Sequence, residues 1–261
     1  MGLLPEDIDY FAEVMREIPG FWLRLGGKPD FTGKDVLDLG CGHGSMCVDL
    51  ALSGASRVVG VDTDEQRISF ARAYTRLHWP ELAPVLEFAA EDVRGYAGLP
   101  FDYAVSRATF EHVLDFSGVM CALAERLKPG GRLCAALGPL YYSPFGDHRR
   151  TESLIPWGHV LQPERLVLAR LNRTRACKLS SIQDLGLNKL APADYRAAFA
   201  RSGLKTVYYR ENLVMPSAGP ARRVCGRLMS ALRRVPALEK YFTVNIWCIL
   251  EKPQELRLSA V

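Results

Sequence analysis

The sequence predicts an α/β protein with a doubly wound, mostly parallel sheet, and three observations support this prediction. Short β-rich runs alternate with helical patterns over the first 140 residues. A glycine-rich turn separates the first run, DVLDLG (35–40), from the helical pattern that follows it. The chain has 261 residues, is 48% apolar and 24% charged, and is therefore long and apolar enough for one core. Strands that alternate with helices pair in parallel through right-handed crossovers, which place helices on both faces.

Each element has a local signal in the sequence. Runs of apolar and β-branched residues predict strands at 35–40, 57–62, 85–92, 101–107, 132–139, 204–210 and 242–252. Apolar residues at helical spacing predict helices at 44–53, 64–77, 116–127, 163–172, 192–202 and 220–234. Gly54 is expected to end the first of these helices, and Thr63 or Asp64 to cap the second. KPGG (128–131) predicts the turn into the fifth strand.

Residues 139–191 interrupt the alternation. This segment is rich in turn residues, aromatic residues and bases, and it is long for a connection inside a compact α/β domain. We interpret it as an inserted substrate-binding cap after the fifth strand. The core pattern resumes afterwards, so residues 1–261 are expected to form a single domain that carries this cap.

The charge distribution is asymmetric along the chain. Residues 1–140 hold 13 Lys/Arg and 20 Asp/Glu, a net −7, whereas residues 141–240 hold 18 and 7, a net +11. The basic part is either a solvated face or a field that attracts an anionic substrate.

The cysteines and the apolar runs of the sequence indicate the cellular compartment of the protein. Seven cysteines without a C-x-x-C pair favour reduced, buried thiols over disulfides or a zinc site. No apolar run is long enough to span a bilayer, and four acids precede the first base, which argues against a secretory signal. These features predict a cytoplasmic protein without stable membrane association.

The most informative segment is VLDLGCGHG (36–44), between a predicted strand and a predicted helix. Its glycines allow a tight turn and let a ligand approach the backbone. Dinucleotide-binding loops follow G-x-G-x-x-G, but Ser45 stands where their third glycine would be. Asp38 also places a carboxylate at the strand end, which would repel a pyrophosphate and hold an ammonium group.

DLGCGHG resembles the first motif of class I S-adenosylmethionine-dependent methyltransferases, and the resemblance continues in order. VVGVDTDE resembles the second strand, EFAAEDV the third, FDYAVSRATFEHV the fourth, and LKPGGRL the entrance to the fifth. These motifs span residues 33–138. The resemblance implies a Rossmann-like, seven-stranded, mostly parallel sheet whose last strand, here 242–252, is antiparallel.

The resemblance also implies a cofactor, S-adenosyl-L-methionine, and its contacts. The acid after the second strand, Asp62, would bind the ribose hydroxyls, and Asp92 with the Val93 amide would contact the adenine. Ser106 and Arg107 would lie on the methionine side. The expected cofactor-binding residues are Asp38, Gly40, Cys41, Gly42, Gly44, Asp62, Thr63, Asp92, Val93, Ser106 and Arg107.

The acceptor side is expected near the fourth-strand motif and the cap. A hydroxyl or acidic-carbon acceptor needs a general base, and histidine titrates nearest neutral pH. The candidate catalytic residues are His112, His148 and His159, and the candidate substrate-binding residues are Glu111, Tyr141, Tyr142 and Trp157. A metal held by His148, His159 and Glu111 is conceivable, but the spacing carries no metal signature, so no metal is assigned.

These features favour an S-adenosylmethionine-dependent methyltransferase that acts on a small, anionic or aromatic acceptor. The cap resembles those of natural-product methyltransferases, which favours secondary metabolism. One alternative is an RNA methyltransferase, although the fourth strand lacks the acid-proline-proline-aromatic pattern of base-amine methyltransferases, so no nucleic-acid partner is expected. Another is a cofactor-binding protein without transfer activity. The sequence leaves the oligomeric state open.

The basic helix predicted at 220–234 has two interpretations. Val224, Leu228, Ala231, Leu232 and Val235 fall on one side of it. We expect this side to dock on the sheet and the arginines to face water. A role at a membrane surface remains the alternative, because basic amphipathic helices bind anionic lipid.

Overall fold

A computed structural model describes residues 3–213 and 219–254. Seven strands form one sheet in the order β3-β2-β1-β4-β5-β7-β6. They are β1 (Asp35–Leu39), β2 (Arg57–Asp62), β3 (Leu86–Ala90), β4 (Phe101–Arg107), β5 (Leu127–Leu137), β6 (Lys205–Glu211) and β7 (Ile246–Glu251). β7 pairs antiparallel with both β5 and β6, and the pairs among β1–β5 are parallel. The predicted seven-stranded sheet with an antiparallel last strand is confirmed.

Helices cover both faces of the sheet. They are α1 (Pro5–Arg24), α2 (Ser45–Leu52), α3 (Glu65–His78), α4 (Phe116–Arg126), α5 (Gly158–Leu161), α6 (Glu164–Leu171), α7 (Pro192–Arg201), α8 (Pro220–Leu232) and α9 (Glu239–Phe242). On one face, Phe21 of α1 and Leu50 of α2 belong to the cluster that buries Val36 of β1. On the other face, Leu123 of α4 and Phe199 of α7 share a cluster with the opposite side of the sheet.

Helix α1 is the main element that the sequence analysis did not predict. Pro5 stands at its first turn with Glu6 and Asp7, which suit a helix N-terminus. Its buried residues are Phe11, Ile18, Phe21 and Trp22, with spacings of seven, three and one. This stripe packs α1 against α2 and fixes the helix at the sheet.

Two boundaries near the C-terminal part of the sheet also differ from the prediction. The last strand begins at Ile246 rather than at residue 242, because the preceding residues form the short helix α9. Thr243 ends that helix, and its Oγ1 donates a hydrogen bond to the Glu239 carbonyl (2.9 Å). β5 begins at Leu127 opposite Phe101, and its regular pairing resumes at Arg132, so KPGG forms an irregular excursion within the strand.

The segment between β5 and α7 contains α5, α6 and a 3₁₀ turn at Ile182–Leu185. It has a small hydrophobic cluster of its own, formed by Tyr141, Val167, Leu171, Ile182 and Leu187. The segment leaves the sheet at the carboxyl end of β5, where parallel sheets hold their ligands. Across residues 3–213 and 219–254, no helix has the length and apolar character required to span a membrane.

Candidate active site

A cavity of about 600 Å³ opens at the carboxyl ends of β1, β2, β3 and β4. The loops after these strands form its walls, and α1 contributes Tyr10 and Val14. The strand order reverses between β1 and β4, and the crevice at such a switch point is where open α/β sheets bind ligands.

The glycine loop after β1 contains three left-handed residues, Gly40, Gly42 and Gly44. Gly40 has φ +74°, and a Cβ atom there would lie 2.1 Å from Oγ1 of Thr109. Gly42 has φ +52°, and a Cβ atom there would meet nothing within 4 Å, because this residue faces the cavity. Gly40 is therefore needed for packing, whereas Gly42 leaves the backbone open to a ligand.

Asp62 organises this loop from the end of β2. Its Oδ2 accepts a hydrogen bond from the Gly42 amide (2.9 Å), and its Oδ1 accepts one from the Asp64 amide (2.9 Å). The carboxylate lines the cavity and is held in place on both oxygens. It is therefore preorganised to accept further hydrogen bonds from a ligand.

Asp38 is a buried carboxyl at the floor of the cavity. It is only 2% exposed, and the Cys47 thiol donates to its Oδ2 (3.2 Å). Burial raises the pKa of Asp38 to about 7, since the charged form loses its hydration there. A cationic group of a ligand next to Asp38 would favour the ionised carboxylate, because it would pair with the negative charge directly.

The third strand leads to an ion-pair network. Arg94 binds Asp92 through two nitrogens, at 2.9 and 2.7 Å, and reaches Asp115 with a third, at 2.8 Å. The hydrogen bonds from Arg94 lower the pKa of Asp92. Asp92, Val93 and Arg94 all line the cavity, so this wall presents a fixed carboxylate and a backbone amide.

The structure places most of the other predicted cofactor residues at the same cavity. Cys41, Thr63 and Arg107 line it, and Arg107 forms an ion pair with Glu17 of α1. Ser106 is 1% exposed and donates to the Leu39 carbonyl (3.1 Å), so it joins β4 to β1 beneath the floor. The remaining residue, Gly44, packs next to Phe88 as the N-cap of α2.

His112 is the candidate catalytic histidine that lines this cavity. Its Nδ1 lies 2.8 Å from the Gly186 carbonyl oxygen, which can only accept, so Nδ1 carries the hydrogen and Nε2 keeps a lone pair. Burial lowers the pKa of His112 to about 4. The ring is therefore neutral at ordinary pH and available as a proton acceptor.

Glu111 and His148 lie next to His112. Potential ligand atoms of the three residues lie within 4.8 Å of one another, and the two imidazole rings meet edge to face at 4.6 Å. Glu111 is 2% exposed, its Oε1 accepts from the Gly138 amide (3.0 Å), and its Oε2 has no hydrogen-bond partner among the residues that the structure describes. Burial raises the pKa of Glu111 to about 7 and lowers that of His148.

This trio has the donor types of a metal site, with His112 in the place that the sequence-based hypothesis gave to His159. Its electrostatic surroundings favour a different use. The Arg150 guanidinium lies close enough to act on all three residues, and it opposes the entry of a second cation. We therefore interpret the trio as a proton-accepting cluster.

Glu111 and His148 lie beside His112 but do not line the cavity, and four more predicted residues are also outside its lining among the described residues. His159 is buried, with Nε2 against the Tyr141 carbonyl oxygen and Nδ1 3.9 Å from Asp147. Tyr141 belongs to the hydrophobic cluster of the inserted segment, and Tyr142 packs against it. Trp157 donates to the Tyr241 carbonyl (3.0 Å) and packs on Phe242. These residues hold the inserted segment together and attach it to α9.

Several residues of the cavity are not predicted by the sequence analysis. Tyr10 and Val14 are missed with helix α1, although its apolar spacing could have revealed them. Arg67, which the helical pattern alone suggests is solvated, lines the cavity with Arg150. No sequence signal identifies Arg150, because only the fold brings this part of the inserted segment over the site.

The comparisons with known proteins agree with this geometry. A family model described as a methyltransferase domain matches residues 10–185. A ubiquinone biosynthesis O-methyltransferase of Chelativorans sp. is 38% identical over 157 residues, which cover 53% of this chain and 57% of that protein. The chain spans about half the length of the curated relatives it matches.

Solved structures show the same fold at low sequence identity. An S-adenosylmethionine-dependent methyltransferase from Mesorhizobium loti has a TM-score of 0.55 at 17% identity, covering 90% of this chain and 97% of that one. Magnesium protoporphyrin IX methyltransferase from Synechocystis, with S-adenosylhomocysteine bound, has a TM-score of 0.53 at 17% identity. The match covers 97% of this chain and 88% of that one.

Proposed function

Because the chain belongs to the methyltransferase-domain family and has the class I fold, we propose that it transfers a methyl group from S-adenosylmethionine to a small-molecule hydroxyl. The observation that carries this proposal is the cavity that holds Asp38, Asp62 and the neutral His112 together. The first two are carboxyl groups suited to a cationic, hydroxyl-rich cofactor. The third is a base suited to the acceptor.

The cofactor would lie along the carboxyl ends of β1, β2 and β3. The carboxylate of Asp62 accepts hydrogen bonds from the ribose hydroxyls, and the amide of Val93 faces the adenine. Asp38 receives the ammonium group at the opposite end of the cavity floor. This orientation directs the sulfonium methyl toward the end of β4, where His112 follows the strand.

At that point the chemistry is an in-line displacement. The acceptor oxygen attacks the methyl carbon, the carbon–sulfur bond breaks, and S-adenosylhomocysteine leaves with the electron pair. His112 Nε2 takes the hydroxyl proton, and the neighbouring Glu111 carboxyl, in its ionised form, would stabilise the imidazolium that forms. The protein mainly aligns the two reactants and excludes water.

The acceptor side of the cavity contains two arginines. Arg67 and Arg150 both line it, and burial together with the nearby Arg67 guanidinium lowers the pKa of Arg150. Arg67 is half exposed and already pairs with Asp64 (3.2 Å), so Arg150 is the cation that would attract an anionic ligand. We therefore propose a phenolic acid as the acceptor class, within a biosynthetic pathway. The similarity to the O-methyltransferase of Chelativorans sp. supports O-methylation.

We expect His112→Asn to lower kcat by about a hundredfold or more, which is the usual contribution of a general base. Methyl transfer from labelled cofactor would be measured with phenolic carboxylic acids and with the matching neutral phenols. The dissociation constant for S-adenosylhomocysteine should stay unchanged. His78→Asn, at an exposed position at the end of α3, is the matched control and should leave kcat unchanged.

Three outcomes separate the alternatives. Transfer to phenolic acids that depends on His112 supports the proposed function. A His112→Asn enzyme that keeps its kcat would remove the base assignment. Cofactor binding without transfer to any hydroxyl acceptor would instead favour a cofactor-binding protein without this activity.

Cofactor affinity should rise with pH through about 7. Asp38 has its pKa raised to about 7 by burial, and only its ionised form pairs with the cofactor ammonium. Below that pH, binding must release a proton, so affinity should fall by up to about tenfold per pH unit. Titration calorimetry between pH 5.5 and 8.5, in buffers of different ionisation enthalpy, measures both the cofactor affinity and the number of protons released on binding.

Asp38→Asn is the test of that assignment. A raised carboxyl pKa stabilises the folded protein only while the group is protonated, and this contribution is lost as pH rises through about 7. The Asn variant should therefore be more stable than the wild type at pH 8 without ligand. Its cofactor affinity should be weaker and independent of pH, and an unchanged pH profile would contradict the role of Asp38.

A further inference from the structure

Helix α8 (Pro220–Leu232) does not pack in the way that the sequence analysis expected. Among residues 3–213 and 219–254, the side of α8 that is buried is the one that carries Met229, which is 7% exposed. Just beyond its end, Arg233 forms an ion pair with Glu211, whose side chain is 3% exposed. This side holds α8 against the end of β6.

The apolar face predicted to dock on the sheet points away from it. Val224 is 64% exposed, Leu228 58% and Val235 48%. The spacings of four and seven residues place these side chains on one face of the helix. The docking expectation is therefore wrong for this face, because Met229 and Arg233 occupy the opposite side.

A row of arginines lies beside that face. Arg223, Arg227 and Arg234 repeat at the same spacing, one position before the apolar residues, and all three are exposed. None of them forms an ion pair within residues 3–213 and 219–254. Between Glu211 and Glu239 the sequence contains five arginines and no acid.

An aliphatic face bordered by unpaired arginines fits one partner best, an anionic lipid surface. Aliphatic side chains insert among the acyl chains, and arginines extend their guanidinium groups to the phosphates. Each basic group near such a surface strengthens binding by about fivefold. A second copy of the same face would bring two arginine rows together, so self-association is disfavoured by charge.

The position of α8 relates this face to the cavity. β6 runs in the same direction as β5, so the end of β6 lies at the sheet edge where the inserted segment begins and where the cavity opens, and Arg233, just beyond the end of α8, pairs there with Glu211. Helix α9 connects α8 with the inserted segment, since the Trp157 indole of that segment donates a hydrogen bond to the Tyr241 carbonyl of α9. The C-terminal end of α8 is therefore anchored at the sheet edge that carries the cavity.

We infer that the Val224–Val235 face of α8 binds reversibly to anionic membranes. The full-length protein would be sedimented with vesicles of phosphatidylcholine alone and of phosphatidylcholine with 30% phosphatidylglycerol, a composition on the order of natural anionic membranes. Binding is expected only to the anionic vesicles, and it should weaken at least tenfold in 0.5 M salt, where the screening length falls to about 4 Å.

Variants separate this inference from a general effect of charge. Leu228→Glu and Arg227→Glu should each weaken vesicle binding at least tenfold. Leu77→Glu, at an equally exposed leucine on α3 (64%), is the matched control and should bind as the wild type does. Circular dichroism and S-adenosylhomocysteine affinity verify that each variant is folded, independently of transfer activity.

The inference is overturned by any of three results. The wild type does not bind anionic vesicles, it binds neutral vesicles equally well, or Leu228→Glu binds as tightly as the wild type. A concentration-dependent dimer that Leu228→Glu abolishes, without vesicle binding, would identify the face as a contact between two copies and would also overturn it.

Discussion

Replacing Asp62 by alanine should abolish measurable binding of S-adenosylhomocysteine in titration calorimetry. The expected loss has two sources. The carboxylate would no longer accept hydrogen bonds from the ribose hydroxyls, each worth about 1.5–3 kcal/mol when one partner is charged. The hydrogen bond from the Gly42 amide to Asp62 Oδ2 (2.9 Å), which positions the glycine loop, would also be lost. Together these effects correspond to a fall in affinity of about two to four orders of magnitude.

Two comparisons make this result specific. Glu87→Ala removes an exposed carboxylate from β3, outside the cavity lining, and should bind the ligand as the wild type does. Asp62→Asn keeps an oxygen that can accept a hydrogen bond from the Gly42 amide but loses the charge. Its affinity for S-adenosylhomocysteine should therefore lie between those of the wild type and Asp62→Ala. If Asp62→Ala retained micromolar binding while remaining folded, the proposed cofactor orientation would be wrong.

Gly40→Ala should reduce both stability and cofactor binding, because two costs coincide at this position. The backbone has φ +74°, which costs an L-residue about 1–2 kcal/mol, and the new Cβ would lie 2.1 Å from Thr109 Oγ1 and 2.7 Å from Thr109 Cβ. Since the clash forces the loop and the β4 end apart, we expect a total destabilisation of about 2–4 kcal/mol. Thermal unfolding and titration calorimetry would measure the two effects.

A double variant separates the clash from the backbone strain. Gly40→Ala with Thr109→Gly removes the colliding side chain, so stability should recover except for the cost of the positive φ. Gly42→Ala, whose new Cβ would have no atom within 4 Å, should lose less stability than Gly40→Ala yet still bind cofactor weakly. A Gly40→Ala protein that unfolds at the wild-type temperature would contradict this account.

Much of the sheet could be predicted because its local signals agree with its tertiary structure. β4 occupies the predicted residues 101–107, and α4, α6 and α7 each end within one residue of the prediction. Helix α1 shows why other parts were missed. Its apolar stripe is present in the sequence, but it lies before the first strand and outside the alternation that predicts the other helices. The start of the last strand was missed because Thr243 and the inserted segment stabilise one helical turn before it.

The two halves of the candidate site differ in the same way. The cofactor side is built from strand ends and a glycine loop, whose geometry follows from local sequence, so Asp38, Asp62 and Asp92 could be placed in advance. The acceptor side depends on how a long insertion folds over the sheet. His112 and His148 meet through tertiary contacts, whereas His159, Tyr141 and Trp157 pack within the protein. No spacing in the sequence distinguishes the residues of the site from those that only pack.

The order of the strands has an electrical consequence. β3, β2 and β1 lie at one end of the sheet, whereas β7 and β6 lie at the other. Because residues 1–140 carry a net −7 and residues 141–240 a net +11, the molecule has an electric dipole along the sheet. In the field of a negatively charged surface this dipole experiences a torque, over a range of about 8 Å at physiological ionic strength. The protein therefore turns its basic end forward before it makes contact.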